Sequence, residues 1–309
     1  MNLVKSVIVT GANGFVGSHV VKELISQGIR VLALDLPEHQ NNLPQSDLVQ
    51  FLGVDIFHLS DYLDEIKFGE YDTFYHFAWV GSAGSARTDC ELQMNNALCT
   101  VTCLRMAKKL GCARFVCAGS IMEQEVISAV WAPNNRPGMG YVYGMGKLTA
   151  HCMCKAVGAE VGIDLLWAII TNAYGEGELS PRFLNTTIRK IIRKEPLQFT
   201  AATQNYDFVH VCDVARAFRL IGEKGRPFCE YLIGSGNARP LKEFILEMKE
   251  TLAPDAEFIF GDVPFTGINM PLEAFCTKPI EEDCGFRAEI SFSDGIKRTM
   301  QWLKEIEES

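Results

Sequence analysis

The stretch Val7-Ile8-Val9-Thr10-Gly11-Ala12-Asn13-Gly14-Phe15-Val16-Gly17 decides the fold. An apolar run from Leu3 to Thr10 ends at three glycines spaced G-x-x-G-x-x-G, and apolar residues then recur at helical spacing (Val16, Val20, Leu24) until Gly28. The glycines allow a tight turn and let backbone approach a pyrophosphate, which the following helix N-terminus stabilises. The next strand, Arg30–Asp35, ends in an acid. Asp35 is placed to accept hydrogen bonds from an adenosine ribose and to repel a 2′-phosphate, which favours NAD over NADP. The expected cofactor contacts begin with Gly11, Asn13, Gly14, Phe15, Val16, Gly17 and Asp35.

Outward from this unit the rhythm continues. Val49–Val54, Thr73–Phe77, Arg114–Ala118 and Ile163–Ile170 read as strands; Thr88–Leu110 and Lys147–Ala159 read as helices. This alternation predicts an α/β fold, a Rossmann-type doubly wound parallel sheet with ligands at the carboxyl ends of its strands. A smaller α/β substrate-binding part is expected in the C-terminal half, with helices at Pro181–Lys194, Val214–Glu223, Leu241–Leu252 and Phe292–Glu305. The expected division is residues 1–171 for dinucleotide binding, rejoined by 206–236, with 172–205 and 237–309 forming the smaller part. Loop signals cluster at Ala132–Gly140 and Asp262–Pro271.

Composition narrows the function. The chain has 309 residues, 48% of them hydrophobic and 22% charged, enough for about two domains or one large α/β unit. Its formal net charge of −9 argues against general nucleic-acid binding. No run reaches the ~18 apolar residues of a membrane span, and the apolar start is too short for a signal peptide, so the chain is expected to be cytoplasmic. The 11 cysteines include no Cys-x-x-Cys and read as reduced, mostly buried thiols. No cluster has metal-ligand spacing.

Two further elements carry chemistry. Tyr143-Gly144-Met145-Gly146-Lys147 puts a phenol and an ammonium four residues apart on one helix face. The lysine charge favours the phenolate, and the tyrosine can then exchange a proton with a substrate oxygen while a hydride moves. Cys117-Ala118-Gly119-Ser120 ends a strand with a hydroxyl that can polarise the same oxygen. Each element alone has an ordinary structural reading, as a surface pair or a turn serine.

As a set these residues resemble the extended short-chain dehydrogenase/reductase family of nucleotide-sugar epimerases, dehydratases and reductases, over nearly the whole chain. The resemblance implies Ser120, Tyr143 and Lys147 as catalytic residues. Asn96, in an N-x-x-G-T-like element where Cys99 replaces the glycine, is implied as their support. It places Asp55 with Ile56 near the adenine, and His76-Phe77-Ala78 with Trp79 along the cofactor, beside Tyr143 and Lys147. Asn172-Ala173-Tyr174-Gly175 is similar to the segment whose asparagine touches substrate. Tyr206 to Ala215 resembles R-D-F-V-x-V-D-D-V-A, with Leu232–Gly236 and Gly285-Phe286 continuing the match.

The departures sort the subfamilies. Ser120 is followed by Ile121-Met122, not by the Asp-Glu pair that drives elimination, which argues against a dehydratase. Glu123 or Glu125 could supply an extra acid. Tyr206 stands where the family has a diphosphate-binding arginine, leaving Arg182, Arg287 or Lys278 to compensate. The loop Ser82–Arg87 either closes over substrate or simply connects.

The expected activity is an NAD-dependent nucleotide-sugar epimerase exchanging hydride at a sugar carbon, C4, with Ser120, Asn172 and Arg182 at the substrate. The alternatives are an NAD(P)H-dependent 4-ketoreductase and a non-catalytic dinucleotide sensor. The resemblance also implies a homodimer, with Cys99, Cys103, Met106, Cys152 and Val157 offering apolar faces to a second copy. His19, His58, His151 and His210 read as packing or surface residues.

Overall fold

Val7 and Val9 point to one side of the first strand and Ile8 to the other, and all three are fully buried. A strand buried on both faces belongs at the centre of a parallel sheet covered by helices. The computed structural model describes residues 4–38, 42–67, 70–263 and 267–308. The expected strand start at Leu3 and part of the loop at Asp262–Pro271 lie outside them. In chain order the first half comprises β1 (Ser6–Thr10), α1 (Phe15–Ser26), β2 (Arg30–Asp35), β3 (Val49–Gly53), β4 (Thr73–His76), α2 (Cys90–Lys109), β5 (Arg114–Ser120), α3 (Met122–Val130), α4 (Val142–Val161) and β6 (Asp164–Ile170). The second half comprises β7 (Asn172–Tyr174), α5 (Phe183–Ile192), β8 (Leu197–Phe199), β9 (Asn205–Tyr206), β10 (Phe208–His210), α6 (Val211–Lys224), β11 (Glu230–Ile233), β12 (Arg239–Pro240), α7 (Leu241–Leu252), β13 (Phe258–Phe260), α8 (Lys278–Cys284) and α9 (Phe292–Glu308).

Seven parallel strands form the main sheet in the order β11-β6-β5-β4-β1-β2-β3. This is the expected doubly wound sheet, and the strand order reverses between β1 and β4. One face packs Val20, Val21 and Leu24 of α1 and Phe218 and Ile221 of α6 against Val7 and Val9. The other packs Ala97, Leu104 and Ala107 of α2 and Ala150 of α4 against Ile8, Phe74 and Phe115. A third core, with Ile188, Phe199, Phe208, Phe244 and Ile296, gathers α5, α7 and α9 with the short strands of the second half.

Some boundaries move. α4 starts at Val142, so Tyr143 lies in its first turn rather than ahead of it. Met122–Val130 forms a helix that the sequence reading passed over. His58 lies at a kink within the 3₁₀ segment Ile56–Glu65 and pairs with Asp55 at 3.0 Å. The apolar faces expected for a second copy also need correction. Cys99, Cys103 and Met106 are buried inside the chain's own core, because α2 packs between the sheet, α4 and the Ile56–Glu65 segment. The large apolar residues that α2 exposes are Met94 and Leu98. All 11 cysteines are free, and Cys90, Cys152 and Cys276 are exposed. No helix among the described residues is long and apolar enough to cross a membrane.

One helix–sheet contact has no slack. A Cβ added to Gly222 of α6 would overlap the hydroxyl of Tyr75, whose oxygen is buried and has no hydrogen-bond partner among the described residues. Gly222→Ala is therefore expected to cost about 1–3 kcal/mol by overpacking. Tyr75→Phe removes the overlapped oxygen and is expected to restore most of that loss in the double variant, as read from urea unfolding of the four proteins.

Candidate functional site

At the carboxyl ends of the strands lies a cleft of about 880 Å³, at the upper end of the size range of small-molecule sites. It brings together the glycine turn from Gly11 to Gly17, Asp35, Asp55, Ile56, Phe77, Ala78, Trp79, Ser120, Tyr143, Lys147 and Arg182. Of the residues singled out in the sequence, Asn96 and Asn172 do not line it. Asn172 instead lines a neighbouring cavity of about 410 Å³ with Arg87, Arg182 and Tyr206. Its amide donates to Asp207 O at 3.0 Å. Arg182 lines both cavities and pairs with Glu178 at 3.3 Å. Arg287 and Lys278 line neither. They pair with Glu281 and Glu282 on the exposed side of α8, so they cannot stand in for the arginine replaced by Tyr206.

The glycine turn leaves no room for side chains. Gly11 has φ +66°, and a Cβ there would lie 2.6 Å from Ala78 N. A Cβ at Gly17 would overlap Gly11 O. Helix α1 thus starts directly on the cleft, with no side-chain cap and no acid in its first turn. Its free N–H groups and dipole suit an anion. Asp35 accepts from Asn13 N and Leu36 N, both at 2.8 Å. The side-chain NH₂ of Asn13 is buried and has no partner among the described residues. An uncapped helix end, an unpartnered amide donor and an acid at the end of β2 form a cradle that fits a dinucleotide pyrophosphate and its adenosine ribose.

Behind the cleft, polar groups are chained together. Thr10 Oγ1 lies 2.8 Å from His76 Nδ1, and Thr100 Oγ1 lies 3.2 Å from His76 Nε2. Thr100 donates to Asn96 O at 2.9 Å, so it accepts from His76 Nε2–H, and Nδ1 accepts from Thr10. Burial, aided by the charge of Lys147, pushes His76 down to about 3, so the imidazole is neutral. Asn96 accepts from Val80 N at 2.9 Å and donates to Val80 O at 2.8 Å. It fixes the chain just after Trp79.

Around Tyr143, which is largely buried, the geometry differs from a simple Tyr–Lys pair. Lys147 Nζ donates to Ala118 O at 2.8 Å and lies 3.8 Å from the centre of the Trp79 ring. Trp79 meets Tyr143 edge-on at 6.0 Å, and its Nε1 donates to Gln93 Oε1 at 2.7 Å. Ser120 Oγ faces the cleft and accepts from Met122 N at 3.3 Å.

The sequence reading left Glu123 open and gave His151 to packing. Both belong to a buried group beneath Ser120. Glu123 accepts from Ser120 N at 2.9 Å, Trp167 Nε1 at 3.1 Å and His151 Nδ1 at 3.0 Å. Gly119 makes this possible, since a Cβ there would lie 2.7 Å from Glu123 Oε1. The signal in the sequence was His151 one turn after Lys147 on the same face. The carboxyl end of β5 is therefore gripped twice, by Lys147 at Ala118 O and by Glu123 at Ser120 N. No group of three or more His, Cys, Asp or Glu side chains among the described residues could hold a metal ion.

The profile of the NAD dependent epimerase/dehydratase family matches residues 7–234. The chain belongs to this family. It is an enzyme of the extended short-chain dehydrogenase/reductase type, in a family of nucleotide-sugar epimerases, dehydratases and decarboxylases. It is 26% identical to a putative UDP-glucose 4-epimerase of Methanocaldococcus jannaschii, over 96% of this chain and 98% of that protein. It is 25% identical to UDP-glucuronic acid decarboxylase 4 of Arabidopsis thaliana, over 82% of this chain, spanning 59% of that protein's length. The crystal structure of the Bordetella bronchiseptica enzyme WbmF in complex with NAD+ has the same fold, with TM-score 0.79, 23% identity, and coverage of 97% of this chain and 93% of that one.

Glu123→Ala leaves a backbone N–H, an indole N–H and an imidazole without their acceptor. It is expected to destabilise the fold by about 3–5 kcal/mol, read as a lowered midpoint in thermal or urea unfolding.

Proposed function

We propose that the chain is an NAD-dependent nucleotide-sugar epimerase that removes and returns a hydride at one sugar carbon, C4. The observation that carries this reading is that Ser120, Tyr143 and Lys147 open onto the same cleft as the glycine turn and Asp35. Bound NAD supplies the hydride acceptor and donor. Gly11, Gly14 and Gly17, with the first turn of α1 at Phe15 and Val16, hold the pyrophosphate, and Asn13 adds its free amide. Asp35 binds the adenosine ribose hydroxyls and disfavours a 2′-phosphate. Asp55 and Ile56 border the adenine, while Phe77, Ala78 and Trp79 form the wall nearer the reacting groups.

Tyr143 takes the proton of the sugar hydroxyl at its phenol oxygen and gives it back after the keto sugar has turned over. Ser120 Oγ donates to the reacting oxygen and favours its developing charge. Lys147 holds the nicotinamide ribose and keeps a positive charge near the phenol. Asn96 keeps the Trp79–Val80 backbone in place. Asn172 and Arg182 bind the substrate from the neighbouring cavity. Ile121 and Met122 provide no acid after Ser120, which supports epimerisation over elimination.

The test is to denature the purified protein, quantify released dinucleotide, and offer UDP-, dTDP-, GDP- and CDP-sugars to the intact enzyme. Near-stoichiometric NAD+ and a new sugar isomer without net NADH formation are expected. NAD(P)H consumption that occurs only with a 4-keto sugar would instead make the enzyme a ketoreductase. Tyr143→Phe is expected to keep its dinucleotide and lose about 10²–10⁴-fold in kcat. Asp35→Ala is expected to weaken NAD retention.

A further inference from the structure

Lys147 spends its ammonium on Ala118 O and the face of Trp79. The cation that lies on the Tyr143 ring is a different one. Arg87 Cζ sits over that ring, 4.6 Å from its centre, whereas Trp79 meets the ring edge-on at 6.0 Å.

The loop that delivers Arg87 is built to do so. Gly81 and Gly84 take φ of +75° and +67°, which turn the chain back on itself ahead of the short 3₁₀ segment Ser85–Thr88. Arg87 N donates to Gly84 O at 3.3 Å. Gln93, itself buried, donates to Gly81 O at 3.1 Å and Ala86 O at 3.0 Å, so α2 anchors the loop at both ends. The same Gln93 accepts from Trp79. The indole and the loop that carries the guanidinium are thus both held by one glutamine.

We propose that Arg87 is a second charge partner of Tyr143, one that favours the phenolate when Tyr143 acts as a base. The functional part rests on the reading of Tyr143 given above. A cation over an aromatic face is attracted to the neutral ring and more strongly to the ionised one. Half-burial keeps water from screening this interaction fully.

The charged and titratable groups around the pair come from several elements. Lys147 lies on Tyr143's own helix, with neutral His76 behind it. Glu125 of α3 faces Arg87; burial raises its carboxyl, and the Arg87 charge opposes that rise. Arg182 adds a like charge to Arg87, and the phenol of Tyr206 lies in the field of both Glu125 and Arg87. Glu125 is therefore the group that tempers Arg87: its ionised form cancels part of the guanidinium charge felt by the phenol.

The direct test needs no substrate. The ultraviolet phenolate band is titrated in the wild type and in Tyr143→Phe, and the difference isolates Tyr143 from the other tyrosines. The same pair is then measured with Arg87→Met and with Arg87→Lys. Arg87→Met is expected to raise the Tyr143 midpoint, and Arg87→Lys to restore part of it. Glu125→Gln is expected to move it down. Once a nucleotide-sugar substrate is in hand, the acid limb of the kcat profile should move upward with Arg87→Met by the same amount. Coincident midpoints in the wild-type and Arg87→Met backgrounds overturn the proposal. A shifted midpoint in a protein whose Tyr143→Phe variant stays fully active would keep the charge coupling and overturn the catalytic reading of Tyr143 instead.

Discussion

The close approach of backbone to backbone at the glycine turn governs how the rest is arranged. Gly11 lies against Ala78, and Gly17 against Gly11, with no space for a Cβ at either. This contact draws β1, the start of α1 and the end of β4 together where the strand order reverses. A larger residue would push the helix off the strand and close the cleft from within. Because the turn is made of bare backbone, the first turn of α1 reaches the cleft, and its dipole is unopposed by any acid there. The other site residues stand around this fixed point.

The opposite wall is organised by charge held close to the carboxyl end of β5. Lys147 takes the carbonyl of Ala118, and Glu123 takes the amide of Ser120. An ammonium and a carboxylate at one strand end fix the orientation of Ser120 without touching its hydroxyl. The imidazole of His151 stacks flat on Trp167, 4.3 Å away, and completes the acceptor's partners from beneath. Such a group is costly to bury unless every member is bonded, and here each main donor finds the same carboxylate.

Much of this could be read from the sequence where local chemistry dictates one answer. Gly11, Gly14 and Gly17 followed by helical spacing, and Asp35 closing the next strand, leave little freedom about the turn and its neighbour. The ends of α1, β2 and α7 matched their expected limits because Gly28, Asp35 and the flanking Pro240 and Pro254 mark them. What stayed hidden depends on contacts between distant segments. Glu123 and His151 are far apart in the chain, and only the fold shows that they share a hydrogen bond. Cys103 looked available to a second copy because its helix face is apolar, but the Ile56–Glu65 segment helps cover that side. The cation beside Tyr143 was sought in Lys147, four residues away; Arg87 arrives from a loop whose path is set by Gln93.

The order of strands has a consequence for how the chain is made. β6 takes its outer partner, β11, from Glu230–Ile233, after β7, α5, β8, β9, β10 and α6 have been threaded between them. As the polypeptide leaves the ribosome, the strands from β1 to β6 can assemble while the edge of β6 still carries unpaired N–H and C=O groups. On one face of that strand Leu166 and Ala168 wait for α6 to complete their core, whereas Leu165 and Trp167 face the core of α2 and α4, which are made first. Until residue 233 has emerged, the nascent chain exposes the kind of strand edge that pairs readily with other chains.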